Sequence, residues 1–419
     1  MKLVRYLIFG IIIILPVREC FSYDAVERTR LLEDRLKLQE DLRKLGHDFL
    51  IDINAYLSSD IQDLVSDVSD VSKASNTITA ASELLDQWDG KELSFRGVAN
   101  LGIPFFSTYF GGIKFVPELL RVHIGTTVNI GIGQETLTLA DLLDLLPDSF
   151  PSEVKTAVLS LDLSDGDDIV SKLQSAFPEL DGVSGFSYSD HTGKYTVPTG
   201  FSNGLPIPNL NFYAKLDLKA GPKVAYIGKH FFGHFSIYGM GRSDLELRLT
   251  TDTLQNSGTG IEIPKGIETW NIAIDYALGY QNSNYKITAS VEELKVSTLS
   301  EATDSTVSYG HPVLLKLHGE ANFRPWGFLL ASPFLGIHTR KGYSVGDAYY
   351  AGVDFGAYLW GDRLGLQLRG MIDREHITIA PRIKFWIIQI EGMLKTPVKS
   401  SIDGVKLGSL YGINFRLFI

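Results

Sequence analysis

Cysteine is almost missing from this chain, with Cys20 the only one in 419 residues. No disulfide framework and no thiolate metal site can be built from it. Long apolar runs are missing too. Past the N-terminal leader nothing approaches the roughly eighteen apolar residues a transmembrane helix needs. If the chain enters a bilayer it must do so as a closed barrel, the other structure that satisfies every backbone group in lipid. An excess of positive charge is also absent: 39 Lys and Arg stand against 49 Asp and Glu, a net charge of −10. Phosphate binding needs a basic face, so no nucleic-acid partner is expected.

Catalytic motifs are missing as well. His311, His318, His338 and His376 are scattered, with no Gly-x-Ser-x-Gly and no His-Glu-x-x-His. Gly131-Ile-Gly133 lacks the third glycine and the following acid of a dinucleotide fingerprint. Asp162-Leu-Ser-Asp-Gly-Asp-Asp168 offers carboxylates near a glycine, but not at EF-hand spacing, and reads as a loop that caps the next helix. No enzyme, cofactor or metal site is expected.

What is present begins with Lys2 and Arg5, the apolar run Leu7 to Leu15, and small residues at Cys20 and Ser22. These are the three parts of a secretory signal peptide, with cleavage expected near Ser22. The alternative, acylation of Cys20, meets Arg18 and Glu19 where a lipobox has small residues.

From residue 209 the chain alternates apolar and polar residues almost without relief. Leu210, Phe212, Ala214, Leu216 and Leu218 interleave with Asn211, Tyr213, Lys215, Asp217 and Lys219, and similar runs start at Trp270, Val313 and Leu364. Period 2 marks strands with one apolar face. Five or six residues is the usual globular strand length, whereas these run to about ten, the length of a tilted membrane strand. Tight joints such as Gln281–Asn284 and 360–363 alternate with longer polar connections at 251–268, 297–311 and 396–404, as in transmembrane barrels. Around Pro381 to Ile388 the apolar face switches, which requires a bulge or an extra turn. The polar face carries Lys215, Asp217, Glu246, Arg248, Asp275, Lys316, Glu320, Asp354, Arg369 and Arg416, the candidate lumen lining. Mixed signs there point to a water-filled or salt-bridged interior.

Residues 25–85 read as helical. Leu38, Leu42, Leu45 and Phe49 are spaced 4, 3, 4, and Leu57, Ile61, Leu64, Val68 and Val71 continue by fours and threes after a stutter near Ile53. One long helix or a helical pair is expected, packed on the protein, self-associating as a coiled coil, or serving as a plug. Leu93 to Leu101 and Val122 to Ile132 read as strands, and 137–177 as a helical insertion.

The final stretch, Val405 to Ile419, places Val405, Leu407, Tyr411, Ile413, Phe415 and Leu417 on one face of a strand and Lys406, Gly412, Asn414 and Arg416 on the other. Its end, with Tyr411, Gly412, Phe415 and Phe418, resembles the C-terminal signal of bacterial outer-membrane β-barrels. That resemblance implies recognition by the barrel-assembly machinery. Phe418 is penultimate here, where that family most often ends on Phe.

The fold expected is an all-β transmembrane barrel, antiparallel, of about twelve strands in a range of ten to fourteen, with an N-terminal α-helical segment and a helical insertion. The boundaries expected are a signal peptide at 1–22, a coiled-coil or plug segment at 23–90, first barrel strands at 91–133, the insertion and its loop at 134–207, and the main barrel at 208–419. The lipid bilayer is the expected surrounding, in the outer membrane. The leading expected function is passive passage of small solutes through the polar lumen. The alternatives are a plugged transporter of hydrophobic molecules and a structural or adhesive protein with a periplasmic coiled coil.

Overall fold

The computed structural model describes residues 25–41, 49–71, 73, 77–137, 143, 151–164, 166–197, 205–249, 267–301, 313–359, 363–402 and 405–418. Fourteen strands close into one antiparallel barrel. In chain order they are β1 (Phe49–Ser58), β2 (Glu92–Pro104), β3 (Ile113–Leu137), β4 (Leu205–Ile227), β5 (Phe231–Leu249), β6 (Ile267–Gln281) and β7 (Tyr285–Ser300). The second half is β8 (Leu314–Ala321), β9 (Leu329–Thr339), β10 (Tyr349–Leu359), β11 (Leu364–Asp373), β12 (His376–Phe385), β13 (Ile388–Pro397) and β14 (Leu410–Phe418). Each pairs with its sequence neighbour, and β14 pairs with β1, so no sheet edge is left open. Short pieces at Thr108–Phe110 and Phe323–Trp326 extend the wall beside β3 and beyond β8.

The helices are α1 (Ala25–Asp41), α2 (Asp60–Val71), α3 (Thr77–Trp88), α4 (Ser152–Leu159), α5 (Ile169–Ala176), α6 (Tyr188–His191) and α7 (Val345–Ala348). One mouth of the barrel, at the Ser58 and Leu410 end of the closing pair, carries the long connections that hold α2 to α7. The other mouth carries tight turns such as 228–230 and 282–284.

The count of fourteen exceeds the expected twelve, and one of the added strands lies where a helix was expected. Within Phe49–Ser58, Asp52, Asn54 and Tyr56 are buried while Ile53 and Leu57 are exposed. The same residues fit helical spacing from Leu38 onward, and the barrel selects their period 2 because that register hides Asp52 and Asn54 from the outside. β1 is therefore the partner of the closing strand, with Ile53 opposite Phe415, Asn54 opposite Asn414 and Leu57 opposite Tyr411. The segments at 93–101 and 122–132, expected as first strands, belong to β2 and β3.

The terminal stretch is also divided. Val405–Lys406 forms a separate small pair with Ser401–Ile402, β14 begins at Leu410, and Lys406 is exposed rather than inside. The face switch near residue 385 comes from a two-residue turn with Trp386 at φ 52° and a ladder gap at Ala380 and Pro381. Proline has no N–H to give to that ladder.

The outer surface is apolar over most of its circumference. Leu216, Ile237, Leu278, Ile287, Leu317, Leu335, Phe355, Leu366, Ile379, Ile390, Tyr411 and Ile413 all point outward and are exposed. Contiguous apolar area on this scale is untenable against water and suits the acyl interior of a bilayer. Near the long-connection mouth, α2 and α3 cover part of it: Trp88, with Ile61, Leu64 and Leu84, packs on Leu93, Ile130, Ile132 and Leu210. Trp88 keeps its indole N–H satisfied by donating to Asp67 at 3.0 Å.

The insertion has its own small core of Val154, Val158, Val170, Leu173, Phe186 and Tyr188. Asp168 caps α5, accepting from the Val170 N–H, the Ser171 hydroxyl and the Gly193 N–H. Burial alone would raise its carboxyl pKa, but those hydrogen bonds hold it below the ordinary range.

Candidate functional site: the barrel lumen

Alternation along each strand sends the polar residues inward, and neighbouring strands bring opposite charges into register. Asp217 on β4 and Arg242 on β5 are Cα partners, and the guanidinium donates two bonds of 2.5 and 2.9 Å. Arg369 on β11 does the same to Asp354 on β10 at 2.7 and 2.8 Å. Arg382 pairs with Glu391, Lys395 with Asp373 at 3.2 Å, and Arg416 with Asp52 at 3.2 Å. These pairs are internal to the wall. Bidentate Arg–carboxylate geometry satisfies both partners without water, which removes most of the cost of burying them.

A second set of wall charges finds its partners on α1, which lies inside the barrel. Arg28, near the helix start, donates to Glu92 at 2.8 Å and to Glu375 at 2.7 Å. Glu92 opens β2 and Glu375 sits in the turn between β11 and β12, so this end of α1 lies at the long-connection mouth. Arg35 is buried and pairs with Glu375, and with Asp347 at 3.5 Å. Burial alone would raise the Glu375 carboxyl; the two guanidinium groups outweigh it and hold its pKa at about 2.

Deeper in, Glu33 accepts from Lys215 and from the Thr127 hydroxyl, and Asp34 accepts from Arg340 at 2.6 and 2.9 Å and from the Tyr343 hydroxyl at 2.6 Å. Lys37 reaches Glu292 at 3.0 Å and Glu293 at 3.4 Å. Glu293 has φ 57° within a bulged stretch of the β6–β7 ladder. That bulge turns two consecutive carboxylates into the lumen, where strict alternation would have sent one outward.

Three leucines of α1 meet apolar groups of the wall. Leu36, with Leu32 beside it, packs on Tyr56, Ala380 and Met393, and Leu38 packs on Phe334, Tyr350 and Met371. Glycines make room for the rings. A Cβ on Gly412 would sit 2.5 Å from the Tyr56 ring, and one on Gly336 would sit 2.3 Å from the Tyr350 ring. Between α1 and the charged wall a cavity of about 20 Å³ remains, enough for about one water.

Of the residues singled out in the sequence, Lys215, Asp217, Lys316, Arg369 and Arg416 are buried on the inner wall, each in an ion pair. Asp275 accepts from the Tyr238 hydroxyl at 2.7 Å, Glu320 lies 3.8 Å from Lys286, and Glu246 is half-buried opposite Tyr213. Arg248 on β5 stands opposite Asn211 on β4, with the Arg248 side chain outside the described residues. On the closing strand Tyr411 and Phe415 face outward, and Gly412 underlies Tyr56. Phe418 ends β14 and its side chain is outside the described residues, as is His311.

The structure does not gather these charges into one cluster; it distributes them round the wall. Sequence reasoning missed Arg28, Glu33, Asp34, Arg35 and Lys37 as lumen residues, along with Arg340 and Glu375. The density of both signs over residues 27–37 was the available signal, because a helix charged on nearly every side needs partners on nearly every side.

No family model and no curated protein matches this chain. Among solved structures it is similar to the transport unit of the autotransporter AIDA-I from Escherichia coli, at 7% identity over 94% of this chain and 99% of that one, TM-score 0.37. It is also similar to a TodX mutant described as a monoaromatic hydrocarbon channel, at 10% identity over 95% and 98%, TM-score 0.40. A Pseudomonas aeruginosa FadL homologue gives 8% identity over 78% and 67%, TM-score 0.28. All three scores fall below 0.5, so the barrel assignment stands on the strand pairing itself.

Proposed function

We propose that this protein is an outer-membrane channel for small solutes whose lumen is closed by α1 and opens when α1 moves. The apolar outer band and the terminal strand that resembles an assembly signal support an outer-membrane location, reached by export with cleavage near Ser22. The bilayer and the barrel-assembly machinery are the partners this reading requires. The observation that carries it is the way α1 is held: side-chain ion pairs and two small apolar contacts tie it to the wall, while the wall's own hydrogen-bonded ladder closes without it. A helix fastened this way can leave and the barrel remain closed. With α1 gone, the wall pairs such as Asp217–Arg242 and Arg369–Asp354 line a polar passage.

This favours the plugged form over a permanently open pore. In planar bilayers the full chain is expected to be mostly closed, and removal of residues 25–41 to give stable conductance steps. The deletion must stop before residue 49, because β1 is a stave of the wall. A folded, heat-modifiable variant without residues 25–41 that stays silent would refute the proposal.

A further inference from the structure

When α1 leaves, most of the charges it held keep a partner on the wall. Lys215 loses Glu33 but keeps Asp217 at 2.9 Å, and Arg340 loses Asp34 but keeps Glu293 at 3.0 Å. Glu292 loses Lys37 but keeps Lys316 at 2.6 Å, and Asp347 loses Arg35 but keeps Arg374 at 2.9 Å. Glu92 and Glu375 have no such reserve. Among the described residues their Lys and Arg partners are Arg28 and Arg35 alone. The wall nevertheless holds both carboxylates in place: Asn129 Nδ2 donates to Glu92 at 2.6 Å, and Asp373 accepts from the backbone N–H groups of Glu375 and His376 at 2.9 Å, which fixes the turn. Beside them His376 is buried at 4% exposure. Its Nε2 donates to the Gly408 carbonyl at 3.3 Å, so Nδ1 is the nitrogen with a lone pair; it has no hydrogen-bond partner and lies 4.0 Å from the Glu375 carboxylate. The present occupant of this place is a cation. The one guanidinium of Arg28 spans both carboxylates, with Nη2 on Glu92 at 2.8 Å and Nη1 on Glu375 at 2.7 Å.

We infer that the vacated mouth is a cation site, in which Glu92, Glu375 and His376 Nδ1 take an incoming guanidinium or ammonium group in the place of Arg28, and that the opened lumen passes small cations in preference to anions. This rests on the channel reading and names the class of solute for the same lumen. Two unmatched carboxylates at an entrance with low-dielectric walls concentrate cations and repel anions. Deeper in, the wall cations stay paired and offer no compensating anion site. A cation with N–H groups gains more than a bare charge, because acceptors converge on it from two parts of the wall and a planar guanidinium matches carboxylate edges. A quaternary ammonium brings the charge and has no N–H to give.

The test is a reversal potential. In planar bilayers under a gradient of potassium chloride, the chain without residues 25–41 is expected to favour potassium over chloride by about fivefold or more. With Glu92→Gln and Glu375→Gln added, the preference should fall below about twofold. An anion preference or none in the first chain, or an unchanged preference in the second, overturns the inference. Guanidinium chloride added at the long-connection mouth should halve the potassium current at a concentration about tenfold lower than tetramethylammonium chloride does; equal block by the two overturns the placement of the cation between the carboxylates. If the shortened chain does not fold, the spontaneous openings of the full chain are recorded under the same gradient and judged by the same preference. Conductance separates the two readings. A folded shortened chain that stays silent refutes the channel itself; one that conducts without preferring cations refutes the solute class and leaves the channel standing.

Discussion

Glu375 is the residue through which the plug is most exposed to a single perturbation, because its carboxylate holds both Arg28 and Arg35 at the mouth. In Glu375→Gln the turn and the barrel ladder keep every backbone bond, but the buried Arg35 guanidinium and the partly buried Arg28 guanidinium lose a shared counter-charge. Breaking a buried pair by removing one partner costs about 3–5 kcal/mol. The lower end applies, since the amide oxygen still accepts one hydrogen bond and Arg28 keeps Glu92 at 2.8 Å. About 3 kcal/mol, at about 1.4 kcal/mol per factor of ten, shifts the closed-to-open ratio on the order of a hundredfold. The assay is single-channel recording in planar bilayers, with open probability as the readout and heat-modifiable migration as the check on folding. Asp70→Asn serves as the comparison: the Lys73–Asp70 pair is 70% and 74% exposed and should leave opening unchanged. A folded Glu375→Gln barrel that opens no more often than the parent would refute the account of how α1 is held.

The same carboxylate predicts the pH response. Its pKa is lowered from 4.5 to about 2 by Arg28 and Arg35, so its contribution to the closed state is fully present above about 4.5 and is lost as pH falls through 2. Opening should rise over that window in the parent and rise less steeply in Glu375→Gln, where the other carboxylates that hold α1 remain; equal slopes would count against it. Gly412→Val, whose Cβ meets the Tyr56 ring at 2.5 Å and Met393 Cε at 3.0 Å, should cost about 1–3 kcal/mol by overpacking and lower the folded fraction on heat-modifiable gels, whereas Gly370→Ala meets nothing within 4 Å and should not. In a Cys20→Ser background, Ile53→Cys with Phe415→Cys should form a disulfide across the closing seam, and Leu101→Cys with Phe415→Cys should not, because β1 stands between them; the reverse pattern, read by mass spectrometry, would overturn the closure. Phe186→Ala should destabilise the insertion by about 3–5 kcal/mol, seen as faster amide exchange over 152–197, with exchange in the barrel strands unchanged.

The barrel was legible where alternation is unambiguous. Lys215 and Asp217, or Arg369 and its neighbours, declare two faces because a strand's side-chain period is 2 and one face is apolar throughout. β1 was not legible, because Phe49 and Leu57 satisfy helical spacing and strand spacing at once, and a ten-residue window cannot rank the two. The adjacent inward carboxylates Glu292 and Glu293 were hidden by a bulge, which breaks the very period used to read the wall. The charged stretch 27–37 was correctly read as helical, and a plug was among its expected roles.

By itself the sequence determined that strands with one apolar face fill the chain from residue 209 onward, and that any passage through a bilayer would have to be made by a closed barrel. It also showed charges of both signs on the polar face of those strands. The tertiary structure alone decided which strand meets β14, how many staves close the ring, and that α1 stands inside it. Those outcomes depend on contacts between residues hundreds of positions apart, such as Asp34 with Arg340 or Arg28 with Glu375. Local periodicity reports which way a side chain points, and only the closed ring brings its distant partner within reach.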